Sequence, residues 1–124
     1  MSAQAQPTVT LEVYSGRENP SWQLEGSALA DVTARIRDLG AGSAAPAPPS
    51  HVLGYRGFRI EHLGQDLPDA LFVGRGVITI VRRKEAEHRS DSVGLESVLL
   101  ADAAQHGFGE LLQAAGAPSP RGMA

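Results

Sequence analysis

The first loop of the chain carries the densest group of side chains with chemical capacity. Arg17, Glu18 and Asn19 are consecutive, and Trp22 follows shortly after them. A guanidinium can hold a carboxylate with two hydrogen bonds, a carboxylate can take a proton, and an indole ring supplies a wide apolar wall. These four residues predict one side of a peptide-binding cleft. The alternative interpretation is that Asn19 and Pro20 only fix a turn while Trp22 anchors the loop to the core.

A second group lies in the segment GYRGF at residues 54–58. Here Tyr55, Arg56 and Phe58 stand beside glycines, which would let the backbone of a ligand approach closely. A groove of this composition predicts binding of an apolar, cyclic or extended peptide. The alternative is that Phe58 is a core residue and Tyr55 an interface or surface ring.

The four histidines, His51, His62, His88 and His106, are scattered along the chain. Their spacing fits no metal site on a helix or hairpin, so we expect no bound metal. His62 follows a predicted strand and is a candidate proton carrier, because histidine gains and loses a proton near neutral pH. The alternative is a plain surface histidine. The sequence contains no nucleotide-binding or nucleophile motif, and no cofactor is expected.

The elements that position these residues predict a small α+β domain. Alternating apolar and polar residues predict a strand over 8–14, and Gly, Asn and Pro over 15–20 predict a chain reversal. Apolar residues at helical spacing predict one helix from Ser27 to Gly40 and a second from Leu95, extended beyond a break at Gly107. Shorter strands are predicted around 22–24 and 53–61 and, as a hairpin, over 71–73 and 77–81, whereas 82–91 is predicted to be a charged loop. The expected architecture is a mostly antiparallel sheet of three to five strands packed against about two helices.

The length of 124 residues predicts one domain. We expect this α+β domain to span residues 8–116, with a disordered N-terminus over 1–7, a flexible proline-rich linker over 41–50 and a disordered tail over 117–124. The hydrophobic fraction of 42% supports a real core. A chain this small hides only about two thirds of its unfolded surface, so self-association would supplement its core and a homo-oligomer is expected.

Charge and composition exclude several classes of partner. The net charge of −3 is spread over interspersed acids and bases, which gives no single-sign surface for nucleic acid or anionic lipid. The chain has no cysteine, which excludes disulfides and thiolate chemistry and fits the reducing cytoplasm. No apolar run approaches the roughly 20 residues that a membrane span requires. We therefore expect a cytoplasmic protein that binds neither nucleic acid nor membrane.

Two segments together resemble a known family. The run VTLEVYSGRENPSW at residues 9–22, which contains the pattern SGRxNPxW, and LGYRGF at 53–58 are similar to small actinobacterial proteins. Among these, the chain resembles the lysinoalanine-forming enzymes of cinnamycin- and duramycin-type lanthipeptide pathways. The two segments cover about a sixth of the chain. The resemblance implies a cofactor-free homodimer that joins a lysine amine to a dehydroalanine within one modified precursor peptide.

This reaction gives each candidate residue a chemical role. Glu18 and His62 would handle protons, Arg56 would polarise the dehydroalanine carbonyl as negative charge develops on it, and Arg17 would bind a carboxylate or carbonyl of the peptide. The predicted catalytic residues are therefore Glu18, Arg56 and His62, and the predicted substrate-binding residues are Arg17, Asn19, Trp22, Tyr55 and Phe58.

Two other functions remain open from the sequence. The same cleft would serve a non-catalytic accessory module that holds a peptide or another protein, and a purely structural homodimer would have no ligand. Binding without chemical change in the peptide would favour the module. A surface without any cleft would favour the structural homodimer.

Overall fold

Six antiparallel strands form one sheet in the computed structural model, which describes residues 7–13, 18–39, 44, 54–64 and 67–117. In chain order the strands are β1 (Thr8–Glu12), β2 (Ser21–Gln23), β3 (Gly57–Glu61), β4 (Ala70–Gly74), β5 (Val77–Arg82) and β6 (Glu85–Ser90). Their order across the sheet is β2-β1-β3-β4-β5-β6. The predicted α+β architecture is confirmed, with one strand more than the upper end of the predicted range.

Helices pack against this sheet. α1 (Gly26–Leu39) follows β2, whereas α2 (Leu95–Ala103) and α3 (Gly109–Ala115) follow β6. α2 packs against β3 and β4, and α1 packs beside α2. A widened turn, Ala104–Phe108, joins α2 to α3, and Gly107 within it has a φ of 95°. The predicted break at Gly107 is therefore confirmed, because a residue with that φ cannot continue a right-handed helix.

The core lies between the helices and the side chains that alternate along each strand. Leu11 pairs with Phe58, Phe58 with Val73, and Val73 with Ile78, so four strands contribute one continuous buried row. This row follows from the two-residue period of a strand, which turns every second side chain to the same face. The helices complete the core with Val32, Ile36, Leu95, Leu99, Leu100 and Leu112.

β6 is the main departure from the predicted elements. The sequence predicts a charged loop over 82–91, whereas Glu85–Ser90 pairs with β5 along its whole length. β6 is an edge strand with no buried residue, so it lacks the apolar alternation that reveals a strand in a sequence. The β5–β6 turn places Arg83 and Lys84 at φ of 51° and 71°. That backbone belongs to a two-residue hairpin, for which Asn-Gly would be the usual sequence signal.

The glycines around Tyr55 admit neighbouring protein backbone. A Cβ atom at Gly54 would lie 2.7 Å from the carbonyl oxygen of Ala115, and one at Gly57 would lie 2.3 Å from that of Val73. Both distances are far inside van der Waals contact. These two glycines therefore serve close packing within the protein, and not the approach of a ligand that the sequence predicts.

Several sequence predictions lie outside the described residues. These are Arg17, the end of the first predicted strand at Tyr14, the termini over 1–6 and 118–124, and most of the linker over 41–50. Ala44, inside that linker, pairs with Arg89 of β6. The carbonyl of Pro7 accepts a hydrogen bond from the Leu24 amide at 2.7 Å. Pro7 and Ala44 thus make defined backbone contacts with the domain.

Candidate functional site

The side chain of Trp22 lies at the centre of a group formed with Asp102, His106 and Phe108, here called the Trp22 cluster. β2 directs Trp22 toward the helices, because its register partner Val9 belongs to the buried face of β1. The indole Nε1 donates a hydrogen bond to Asp102 Oδ2 at 2.8 Å. The rings of His106 and Phe108 stack on the indole with centroid distances of 5.2 and 5.3 Å. Trp22 therefore links β2 to the end of α2 and to the turn that follows it.

Asp102 and His106 form a carboxylate–histidine pair one helical turn apart. Nε2 of His106 lies 3.7 Å from Asp102 Oδ1, which is an ion-pair distance longer than a hydrogen bond. The side chain of Asp102 is 9% exposed and that of His106 is 37% exposed. A carboxylate fixed behind a histidine stabilises the imidazolium that forms when the ring takes a proton. The structure thus places a carboxylate beside a partly exposed imidazole at the protein surface.

A shallow groove beside Phe108, here called the loop groove, contains two of the predicted site residues. Its volume is about 350 Å³. Its walls come from the first loop, from Phe108 and from α3, and consist of Glu18, Asn19, Pro20, Ser21, Phe108 and Leu111. Because Glu18 is exposed, its carboxylate is open to a cationic group of a ligand. The structure thus places an acid beside an apolar wall.

A second groove, here called the helix groove, runs between α1 and α2. Its volume of about 740 Å³ lies within the range of small-molecule and peptide sites. Asp102 lines the helix groove and belongs to the Trp22 cluster, whereas Phe108 lines the loop groove and belongs to the same cluster. The two grooves therefore adjoin the Trp22 cluster. The polar residues that line the helix groove are Ser27, Asp31, Arg35, Ser97, Asp102 and Gln105.

Asn19 and Arg56 meet through Glu12 at one end of the sheet. Asn19 Oδ1 accepts a hydrogen bond from the Val13 amide at 2.9 Å, and Asn19 Nδ2 donates one to Glu12 Oε1 at 3.4 Å. The guanidinium of Arg56 lies 3.8 Å from the same Oε1 atom, and its side chain is 33% exposed. Asn19 thus fixes the first loop against β1, as the turn-forming interpretation predicts.

Tyr55 and Phe58 lie in the core, each 1% exposed, so neither walls a surface cleft. The two rings meet edge to face with centroids 6.0 Å apart. The Tyr55 hydroxyl donates a hydrogen bond to Glu96 Oε2. Burial raises the pKa of Tyr55 well above its ordinary value, and the hydrogen bond to the Glu96 carboxylate raises it further.

Glu96 is a buried carboxylate that the sequence analysis does not single out. Besides the Tyr55 hydroxyl, it accepts hydrogen bonds from the backbone amides of Arg75 and Gly76, each at 2.9 Å. These contacts tie the first turn of α2 to the β4–β5 hairpin. Since all three donors belong to the protein itself, the arrangement indicates a structural role.

His62 lies apart from the other candidate residues. It follows β3 with a φ of 62°, whereas Arg56 precedes the same strand. At about 3.3 Å per residue, that separation is roughly 20 Å. The structure therefore does not bring His62 to Arg56, because the strand carries the two residues to opposite ends of the sheet. Among the described histidines, His106 contacts a predicted site residue, because its ring stacks on that of Trp22.

Asp102, His106 and Phe108 are the candidates that sequence analysis leaves out. One signal is present in the sequence, because Asp102 and His106 are four residues apart and such residues are neighbours on a helix. Nothing local connects them to Trp22, which precedes Asp102 by 80 residues. That contact exists only because β2 packs close to the end of α2.

Within the part of the chain that the structure describes, histidine and acidic side chains form no group of three that could hold a metal ion. No helix among those residues has the length and apolarity needed to cross a bilayer. Comparison with protein-family models, with curated protein sequences and with solved structures identified no match for this chain. The resemblance to lysinoalanine-forming enzymes therefore stays a prediction.

Proposed function

We propose that this protein is a cofactor-free enzyme that forms a lysinoalanine crosslink in a lanthipeptide precursor. The observation that carries the proposal is the position of the SGRxNPxW segment. Its residues Glu18, Asn19 and Pro20 line the loop groove, and its Trp22 holds the Trp22 cluster beside that groove. The segment that carries the family resemblance thus also builds a surface groove with an exposed carboxylate.

The proposed reaction is an intramolecular conjugate addition. The lone pair of the lysine Nζ forms a bond to the dehydroalanine Cβ, and the alkene electrons move onto Cα and its carbonyl. The nitrogen then loses one proton and Cα gains one, so product and substrate have the same mass. Holding the amine against the alkene lowers the barrier by up to about 7–11 kcal/mol in favourable cases. A groove that orients the peptide is therefore the first requirement.

In this proposal two charged residues take part in the chemistry. Glu18 would hold the lysine ammonium as the peptide docks, because its carboxylate is exposed in the loop groove. Arg56 would polarise the dehydroalanine carbonyl from the end of the sheet where Glu12 joins it to Asn19. The homodimeric state, the precursor peptide as partner and the cytoplasmic location follow from the resemblance and from the sequence, and they belong to the same proposal.

A non-catalytic peptide- or protein-binding accessory module is the second candidate function. Asn19 is engaged within its own loop, and Tyr55 and Phe58 are enclosed in the core. Fewer of the predicted reactive groups therefore face the loop groove than the sequence suggests. An open groove with few reactive groups suits binding without chemical change.

A thiol challenge separates the two functions. The purified protein is incubated with a dehydrated, ring-closed lanthipeptide of the cinnamycin class, a small thiol is added, and the peptide mass is recorded. The thiol adds to any surviving dehydroalanine, so the loss of thiol uptake reports the crosslink. We expect this loss only when folded protein is present. Unchanged uptake by a peptide that binds the protein would support the accessory module.

A variant of Glu18 tests the role of the loop groove. Glu18→Gln is expected to weaken the apparent affinity for the peptide by about fivefold, since an exposed ion pair contributes up to about 1 kcal/mol. Glu85→Gln is the matched control, because Glu85 is also exposed but lies on β6, at the opposite edge of the sheet from β2. Equal effects of the two variants would show that overall charge governs binding and that the loop groove does not.

A further inference from the structure

We infer that Asp102 and His106 are the proton-transfer pair for a peptide bound at the Trp22 cluster, between the loop groove and the helix groove. The inference rests on the proposed function and adds the group that moves the proton. His106 is the catalytic residue of this pair. Asp102 is a positioning residue that acts through the histidine ring.

Asp102 is held in one orientation. Its Oδ2 atom accepts the hydrogen bond from the Trp22 indole at 2.8 Å, and this bond directs its Oδ1 atom toward His106 Nε2 at 3.7 Å. The side chain of Asp102 is 9% exposed, so the protein holds this carboxylate in place beside the histidine ring. Because Nε2 faces Asp102, the proposal assigns the contact with the substrate to the other ring nitrogen, Nδ1.

The backbone between α2 and α3 is shaped to present the histidine. Residues two positions apart on a regular helix point to different faces. His106 and Phe108 nevertheless both stack on Trp22. The change of direction occurs at Gly107, whose φ of 95° interrupts the helix between them. The break therefore lets the partly exposed His106 ring stack on the same indole as Phe108, which also lines the loop groove.

The position of the pair suits a peptide that extends across both grooves. Asp102 and Gln105 precede His106 in the chain and line the helix groove. Phe108 follows His106 and lines the loop groove together with Glu18. In this proposal, a peptide whose lysine enters the loop groove crosses the Trp22 cluster, where the His106 ring stacks on the indole, to reach the helix groove.

The proton step balances within this pair. The lysine ammonium that Glu18 holds first loses one proton to solvent, which leaves a neutral Nζ that can bond to the dehydroalanine Cβ. The bonded nitrogen then carries one proton too many, and the Cα–carbonyl unit carries the negative charge. His106 Nδ1 takes the proton from nitrogen, and the imidazolium so formed is stabilised by Asp102. The same proton then passes to Cα, which neutralises the enolate and returns His106 to its neutral form. No oxidant, reductant or further reactant is consumed.

The test compares crosslinking and binding in His106→Ala. General acid–base catalysis contributes on the order of 10²-fold or more, so we expect the variant to lose about 10²-fold in kcat. Its peptide affinity is followed by the fluorescence of the sole tryptophan, Trp22. We expect this affinity to stay within about twofold of wild type, because the variant leaves Glu18, the residue proposed to bind the lysine, unchanged. Added imidazole is expected to restore part of the rate.

Two further variants complete the test. Asp102→Asn keeps an acceptor for the Trp22 indole, so it is expected to fold and to lower kcat with little change in KM. His88→Ala is the control, because His88 bonds to Thr79 on β5 and lies five strands from Trp22. A wild-type rate in His106→Ala, or a loss that imidazole does not rescue, would overturn the proton-transfer pair while leaving lysinoalanine formation in place. If the wild-type protein binds the peptide without crosslinking it, the proposed function fails and the pair fails with it.

Discussion

The contact between Tyr55 and Glu96 shows how one buried polar group holds two parts of the molecule together. The carboxylate accepts hydrogen bonds from the Tyr55 hydroxyl and from two amides of the β4–β5 hairpin. A hydrogen bond to a charged group contributes about 1.5–3 kcal/mol, and a buried partner left without one costs a similar amount. Tyr55 therefore stabilises the fold through its hydroxyl as well as through its ring.

We predict that Tyr55→Phe lowers stability at neutral pH and loses part of that effect in alkali. The folded protein raises the pKa of Tyr55 above the unfolded value near 10, so the unfolded chain releases this proton first as the pH rises. The contribution of Tyr55 is complete below about pH 10 and falls above it, by up to about 1.4 kcal/mol per pH unit. Urea unfolding of both proteins at about pH 7 and about pH 11 measures the change.

The comparison of the two proteins is its own control, because they share every residue except the one at position 55. The free energy difference between wild type and Tyr55→Phe is expected to be about 1.5–3 kcal/mol at neutral pH, which is the contribution of a hydrogen bond to a charged acceptor. It should shrink in alkali. The same difference at both pH values would contradict a Tyr55 proton held by burial and by Glu96.

At the site, the sequence predicts the groove residues that are neighbours in the first loop. It does not predict the burial or contacts of residues that are brought together by tertiary packing. Glu18 and Asn19 share a groove because they are neighbours in the chain. Tyr55 looks like a surface ring between glycines, yet it is buried, because those glycines let α3 and β4 approach. His106 carries no local mark of its contact with Trp22, which depends on the packing of β2 close to α2.

The break between α2 and α3 is an element that the sequence does reveal and that the site uses. Gly107 interrupts the apolar spacing of the second helix, and its φ of 95° is one that other residues adopt only at a cost of about 1–2 kcal/mol. The widened turn that results carries both His106 and Phe108 to Trp22. The same glycine thus ends one helix and shapes the Trp22 cluster.

We predict that Gly107→Ala disturbs the Trp22 cluster, whereas Gly76→Ala does not. Both glycines have positive φ, and a Cβ atom at either would meet no neighbouring atom, so backbone strain of about 1–2 kcal/mol is common to both variants. Only Gly107 lies between the two rings that stack on Trp22. Tryptophan emission should therefore shift in Gly107→Ala alone, at matched loss of thermal stability. An equal shift in the two variants would show that the emission follows general loosening of the fold.

β6 shows the limit of element prediction from one sequence. A strand is recognised by apolar residues on alternate positions, and these exist only where one face is buried. Glu85, Glu87 and Arg89 alternate with Ala86, His88 and Ser90, which gives charge on one face and small or polar groups on the other. The turn before it uses Arg83 and Lys84 in place of Asn-Gly. β6 forms because it pairs with β5 along its whole length, and this pairing cannot be predicted from the local sequence.

The whole molecule is a single sheet whose strands differ in how many neighbours they have. β3 and β4 each pair on both sides and pack against α2. Among the described residues, β2 and β6 are edge strands with one strand partner each, and Ala44 forms an isolated bridge with Arg89 of β6. Opening of an amide costs most where both backbone pairing and apolar burial must be lost together. Stability should therefore fall from the centre of the sheet toward its two edges.

We predict that amide hydrogen exchange follows this order. The amides of Phe58, Ile60, Leu71 and Val73 should exchange slowest, at rates that report global unfolding, whereas those of β2 and β6 should exchange through local opening. Hydrogen exchange at neutral pH, followed by mass spectrometry, measures the order of protection directly. Sedimentation of the same protein tests whether the particle has twice the chain mass of 13.0 kDa, as the proposed homodimer requires. Protection of β6 equal to that of β4 would contradict the order and would mean that the outer edge of β6 is covered in solution.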